Sequence, residues 1–174
     1  MRKITIGLAF IIVLMGMTIC NAQNNIKASF KDFDQLIGSW QGSLTYLDYK
    51  SGKPYTMSAN LEIRRLEKSH NFIFSNIYPK ESNANSSDTF TFSKDGKYIN
   101  NEIIKSGKKL ANGKNEIITE ISGKDGNDNK PAIIRHTYTF NKYSFSKRKD
   151  VQFAGGTEWI RRNEYTYQRK KISN

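Results

Sequence analysis

From Trp40 onward, apolar and polar positions alternate with a period of two, the pattern of strands that have one dry and one wet face. Trp40, Gly42, Leu44, Tyr46 and Asp48 share one face of a first strand, and Ser51-Gly52-Lys53-Pro54 turns the chain. The next strand sets Tyr55, Met57, Ala59, Leu61 and Ile63 against Thr56, Ser58, Asn60, Glu62 and Arg64. Residues 70–78 repeat the alternation with Phe72 and Phe74. A polar loop rich in Asn and Ser covers 79–87, after which Phe90 and Phe92 resume the strand before an Asp95-Gly96 hairpin signal. Strands over 98–105 and 116–122 are joined through Asn112-Gly113, and 123–130 reads as a long polar turn. Strands over 133–140 and 143–149 connect at Asn141-Lys142, and Gly155-Gly156 introduces a last strand over 157–169.

Ahead of the strands, Phe30, Phe33 and Leu36 recur three apart, which predicts a short helical turn lying across one end of a sheet structure. Gly38 then lets the backbone bend inward, and Trp40 is placed to plug the end. Strand follows strand with no helical pattern between them, and there is no internal repeat. The expected fold is therefore all-β: an antiparallel up-and-down barrel of about eight or nine strands with a short N-terminal helical turn. Closure also removes the exposed edges that an open sheet leaves. If the first and last strands pair antiparallel, Trp40 meets Arg169 at the floor and Asp48 meets Arg161 at the mouth.

The run Leu36-Ile37-Gly38-Ser39-Trp40-Gln41-Gly42-Ser43-Leu44, with its Gly-x-Trp start just after a helical turn, resembles the opening of the lipocalins and the wider calycin group. It also looks like that of many small lipocalin-like bacterial proteins. The resemblance implies one barrel over residues 23–174, with a ligand site in the barrel mouth.

Composition adds an address. Arg2 and Lys3 precede an apolar run over 4–19, and Cys20 and Ala22 follow in a small-x-small exit. This describes a secretory signal peptide over 1–22, with cleavage after Ala22. Acylation at Cys20 is the competing reading, and the branched Ile19 counts against it. The run is also shorter than the ~20 apolar residues of a membrane span. The expected location is therefore periplasmic or extracellular. The single cysteine leaves with the signal, so the fold must be held by its core rather than a disulfide. A net charge of +12 reads, in an exported chain, as solubility or attraction to an anionic envelope surface rather than nucleic-acid binding. The turn lysines, such as Lys53, Lys94 and Lys124, are scattered rather than gathered on one face.

Catalytic signatures are absent from the pattern. The two histidines, His70 and His136, have no metal-ligand spacing. His136 shares a face with Ile134, Tyr138 and Phe140, which predicts an inward, hydrogen-bonded core residue. Gly38-Ser39-Trp40-Gln41-Gly42 lacks the order of a nucleophile elbow. Two Ser-x-x-Lys matches stand without companion motifs, and no Gly-rich phosphate loop occurs. The expectation is a non-enzymatic barrel without metal or cofactor, binding a small apolar or amphipathic molecule. Tyr46, Phe72, Phe74, Tyr138 and Trp159 are its candidate wall, and Arg161, held by Asp48, is its candidate anchor for an anionic headgroup. The alternative is a basic envelope-associated interaction protein with a filled core, since a small barrel can nearly fill itself with side chains.

Overall fold

The computed structural model describes residues 29–48, 51–67 and 69–169. The expected signal peptide, Cys20 and the cleavage point lie outside the described residues. Ser29 starts the first helical turn, α1 (Phe30–Phe33). Its N–H donates to the Asp32 carboxylate at 3.0 Å and its hydroxyl accepts from Lys31, a reciprocal cap that holds so short a helix. A 3-10 turn, Asp34–Leu36, carries the chain to the sheet.

The strands are β1 (Gly38–Leu47), β2 (Pro54–Ser58), β3 (Asn60–Arg65), β4 (Asn71–Ile77), β5 (Ser86–Thr91), β6 (Tyr98–Ile99), β7 (Glu102–Lys109), β8 (Asn115–Asp125), β9 (Lys130–Phe140), β10 (Ser144–Phe153) and β11 (Ile160–Gln168). They pair antiparallel in the order β5-β4-β3-β1-β11-β10-β9-β8-β7-β6, with β2 also on β1. A bridge between Phe92 and Ile99 joins the two ends of this path. The result is a nearly closed, lipocalin-like barrel. Beyond the bridge, no ladder among the described residues links β5 to β7, so a seam opens between them.

The sheet has 11 strands, more than the eight or nine expected, because two expected strands are each split. β2 and β3 break at Ala59, yet the Ala59 N–H still donates to the Gly42 carbonyl at 3.0 Å. Their register on β1 is also unchanged across the break. β6 and β7 are separated by Asn100, whose φ of 54° interrupts the extended backbone. In the other direction, β8 runs on to Asp125, so the expected long polar turn begins only after it.

The floor is built as the first strand's pattern predicts. Gly38 has a φ of 114°, in the region where side chains are strained and glycine is not. Trp40 is 1% exposed, and its indole N–H donates to the Leu36 carbonyl at 2.7 Å. β1 and β11 pair with Gln41 opposite Gln168, which brings Arg169 under Trp40. The guanidinium lies 4.4 Å from the indole centroid and donates to the carbonyls of Gln35 and Ile37 at 3.0 and 2.9 Å. Arg65 fixes the turn from the other side through Asp34 at 2.9 Å. Gly42 serves a different need: a Cβ there would stand 2.0 Å from the Thr166 carbonyl oxygen.

Phe33, from the helical turn, sits at the centre of the core. Its ring centroid lies 4.8 Å from that of Phe92 and 4.9 Å from that of Phe140. Phe72, Tyr138, Leu61, Ile63 and Ile117 complete a dry, mostly aromatic lower half. Burying each such ring contributes roughly 1.5–3 kcal/mol, so this half supplies much of the fold's stability.

Candidate ligand site

Above the floor the inward faces of β7 to β11 turn polar. Thr119 on β8 lies opposite His136 on β9, and His136 lies opposite Lys149 on β10. Glu102, the first residue of β7, reaches in beside the seam. It accepts from Thr119 and meets His136 Nδ1 at 2.9 Å. Both side chains are mostly buried, at 14% and 15% exposed. Burial works to raise the Glu102 pKa, but the hydrogen bond and charge of His136, with Thr119 and Lys147, hold it below its ordinary value. His136 is thus the inward, hydrogen-bonded residue expected. The same burial, with Glu102 nearby, pushes the Tyr138 hydroxyl well above the usual tyrosine range.

Lys147 is the centre of the second group. It pairs across the sheet with Tyr138 on one side and Tyr165 on the other. Its Nζ lies 5.1 Å from the Phe90 ring centroid and borders an internal cavity of about 70 Å³. Phe74 and Phe90, stacked at 4.1 Å, form one wall of that cavity. Phe145 and Tyr167, stacked at 5.7 Å, form another. Asn76, Asp88 and Tyr165 add polar edges. The Tyr165 hydroxyl is bonded to that of Tyr78 at 2.9 Å, which ties the segment after β4 across the opening. Burial lowers the Lys147 pKa, and the nearby Glu102 and Asp88 carboxylates offset this only in part. Burial and the Tyr78 bond raise Tyr165.

A third group stands toward the far end of the same strands. Asp125 receives Lys149 Nζ at 2.5 Å and Arg162 Nε at 2.7 Å. Burial of Asp125 acts to raise its pKa, but these two cations hold it below the usual carboxylate value. Arg162 reaches this group because the β10–β11 register shifts at Lys149/Asp150. Asn163 pairs with Lys149 and Arg161 with Asp150, so Arg162 is an extra residue that reverses the strand's inside and outside.

That bulge corrects two of the expected wall positions. Arg161 falls on the outer face, where its guanidinium is 59% exposed and bonds Glu164 at 3.1 Å, so it is not an interior anchor held by Asp48. Trp159 is likewise outside, its ring covered by Arg135 at 3.7 Å, and Arg135 in turn pairs with Glu120. Asp48 closes the β1–β2 turn through its backbone, donating to Lys53 and accepting from Gly52. Tyr46 is half-buried, packed at 5.5 Å against the exposed Tyr55 across that hairpin. Phe72 and Tyr138 belong to the packed core, and Phe74 alone of the expected wall borders the cavity.

Lys147, Lys149, Asp125 and Arg162 were not among the expected site residues. A signal for the first two was present: they alternate in phase with Phe145 and Val151, both buried. Charged residues in step with core residues mark an interior polar cluster. No such signal exists for Arg162, whose orientation depends on the bulge.

The fold and this interior define the class: a lipocalin-like barrel with a packed aromatic floor and a polar, partly hollow upper half. No protein-family model matches the chain, and no curated protein matches it. Among solved structures it is similar to Rv2717c from M. tuberculosis, with a TM-score of 0.53 at 8% identity, over 82% of this chain and 97% of that one. Weaker likenesses include an S-type phycobiliprotein lyase, CPES, from Guillardia theta, with a TM-score of 0.46 at 10% identity over 84% and 95% of the two chains. A protein of unknown function of the DUF3598 family from Nostoc punctiforme matches with a TM-score of 0.39 at 13% identity, over 79% and 49%. At such identities the likeness is one of fold.

Proposed function

We propose that this is an exported, non-enzymatic barrel that binds a small amphipathic molecule, with the ligand's polar end at Lys147 and its apolar part against Phe74, Phe90, Phe145 and Tyr167. The observation that carries this reading is Lys147 itself. A lysine ammonium in a barrel interior costs several kcal/mol unless something compensates it. Here it borders a cavity with aromatic walls and polar edges, an arrangement typical of ligand sites in barrel mouths. A space of about 70 Å³ limits the enclosed part of the ligand to a few heavy atoms. This replaces Arg161 with Lys147 as the polar anchor. Export rests on the N-terminal pattern of residues 1–22.

Native mass spectrometry of the protein taken from its own host is the direct test, backed by thermal shifts with short alcohols, amides and carboxylates. The expected outcome is a retained small molecule, or a melting shift that disappears in Lys147→Met. An empty protein that no compound shifts would sink the reading. A second reading has its own support: the lower half is fully packed and the chain carries +12. A basic envelope-binding protein would then bind anionic vesicles in a salt-sensitive way, with Lys147→Met behaving as wild type.

A further inference from the structure

Lys147 differs from the barrel's other inward cations in its partners. Lys149 and Arg162 share the Asp125 carboxylate. No hydrogen bond or ion pair among the described residues engages Lys147 Nζ. What it meets instead is the face of Phe90 and the cavity. Packing around it lowers its pKa, while its surface remains partly accessible through the cavity. A desolvated lysine without a carboxylate in direct contact, whose nearby Glu102 and Asp88 offset its burial only in part, has a larger share of the neutral amine, which is the nucleophilic form.

We propose that Lys147 is a covalent capture site for a small aldehyde, which condenses with its amine to give an imine. This rests on the ligand-site reading above and names the reacting group of the ligand. In the first step the Nζ lone pair forms a bond to the carbonyl carbon, and the C=O π pair moves to oxygen, which takes up a proton. The nitrogen loses a proton, giving a neutral carbinolamine. The nitrogen lone pair then forms the C=N bond as the hydroxyl takes up a proton and leaves as water, and the resulting iminium releases its N–H proton to give the neutral imine. One amine and one aldehyde yield one imine and one water, with no oxidant or reductant. Protons exchange with solvent through the cavity opening.

The surroundings suit the product. An imine exchanges the ammonium for a group that is more weakly hydrated, so it relieves the burial cost that Lys147 carries. The Phe74–Phe90 and Phe145–Tyr167 stacks offer flat apolar walls for the alkyl chain. Restricted space and the Tyr78–Tyr165 contact slow the return of water, which hydrolysis of the imine requires. On a scale of about 30 Å³ per water molecule, the enclosed part of the cavity holds a short aldehyde.

The test uses the full mature chain with propionaldehyde and cyanoborohydride near neutral pH, read by intact mass and peptide mapping. A single propyl adduct on the peptide carrying Lys147 is expected, at aldehyde levels that leave exposed lysines such as Lys97 and Lys142 unmodified. Lys147→Arg and Lys147→Met, each checked for a native circular dichroism spectrum, should lose it. The trapping rate should rise with pH earlier than that of surface amines, following the lowered pKa. Propan-1-ol serves as the non-covalent control. If it shifts the melting point through Lys147 but propionaldehyde leaves that lysine unmodified, the imine is excluded and the ligand site stands. If adducts spread over surface lysines and propan-1-ol has no effect, both readings fall.

Discussion

In the lower half of the barrel Phe33, Phe72, Phe92 and Phe140 meet ring to ring, and the cations at its edge are held in place, Arg169 beneath Trp40 on main-chain carbonyls and Arg65 on the Asp34 carboxylate. In the upper half the same strands turn Glu102, His136, Lys147, Lys149 and Arg162 inward. The lower half gains from burial with almost no polar cost. Ionic groups in the upper half pay a desolvation penalty that their partners return only in part. A chain selected only for stability would continue the aromatic layer upward. The difference makes the costly half the place to test for function, since natural proteins break local rules at functional sites.

The largest effect should come from breaking the floor. Trp40→Ala removes a fully buried indole and should destabilise by about 3–5 kcal/mol in denaturant unfolding. A midpoint like the wild type's would show that Trp40 is not the plug. Next comes the ionic group at the far end. Asp125→Ala removes the carboxylate that Lys149 and Arg162 share. Because Lys149 is 25% exposed, the cost should be about 2 kcal/mol rather than the full penalty of a sealed pair. Replacing Lys149 and Arg162 by Met in the same chain should return most of it; if the triple variant stays as weak as the single one, the loss comes from packing and not charge.

The smallest effect is a pH dependence. The folded Glu102 pKa is held below its ordinary value. Its contribution is therefore present above the unfolded glutamate pKa and is lost as pH falls through the lower, folded value. Glu102→Gln should flatten that acid limb when unfolding is followed across acid pH. Equal acid sensitivity in mutant and wild type would assign the effect to other carboxylates. No comparable acid dependence is expected from the aromatic floor.

The floor was legible in the sequence and the upper half was not, for a physical reason. A glycine, a tryptophan and strict alternation are local features, and antiparallel register is arithmetic once the first and last strands are taken as neighbours. That is how Trp40 and Arg169 could be matched across the whole chain. The same arithmetic failed at Arg161 because it assumes an unbroken strand. One extra residue, Arg162, reverses everything beyond it and carries Trp159 outside as well. Lys147 was hidden differently. In a chain with 28 lysines and arginines, one lysine in phase with Phe145 is easily grouped with the solvated ones.

Pairing of β1 with β11 also sets the order in which the molecule can be finished. Strands β1 to β5 can zip as each emerges, since each pairs with a near neighbour in sequence, and so can β6 to β11. Gln41 and Gln168, however, lie at opposite ends of the barrel sequence. Until the last strand has been made, the second edge of β1 is bare and Trp40 lacks the guanidinium beneath it. Such distant pairing is slow because the closure entropy must be met before the contact rewards it. The chain therefore spends its early life as two open meanders hinged at the Phe92–Ile99 bridge, and a truncation at the C-terminal strand would leave the β1 edge of the barrel unclosed.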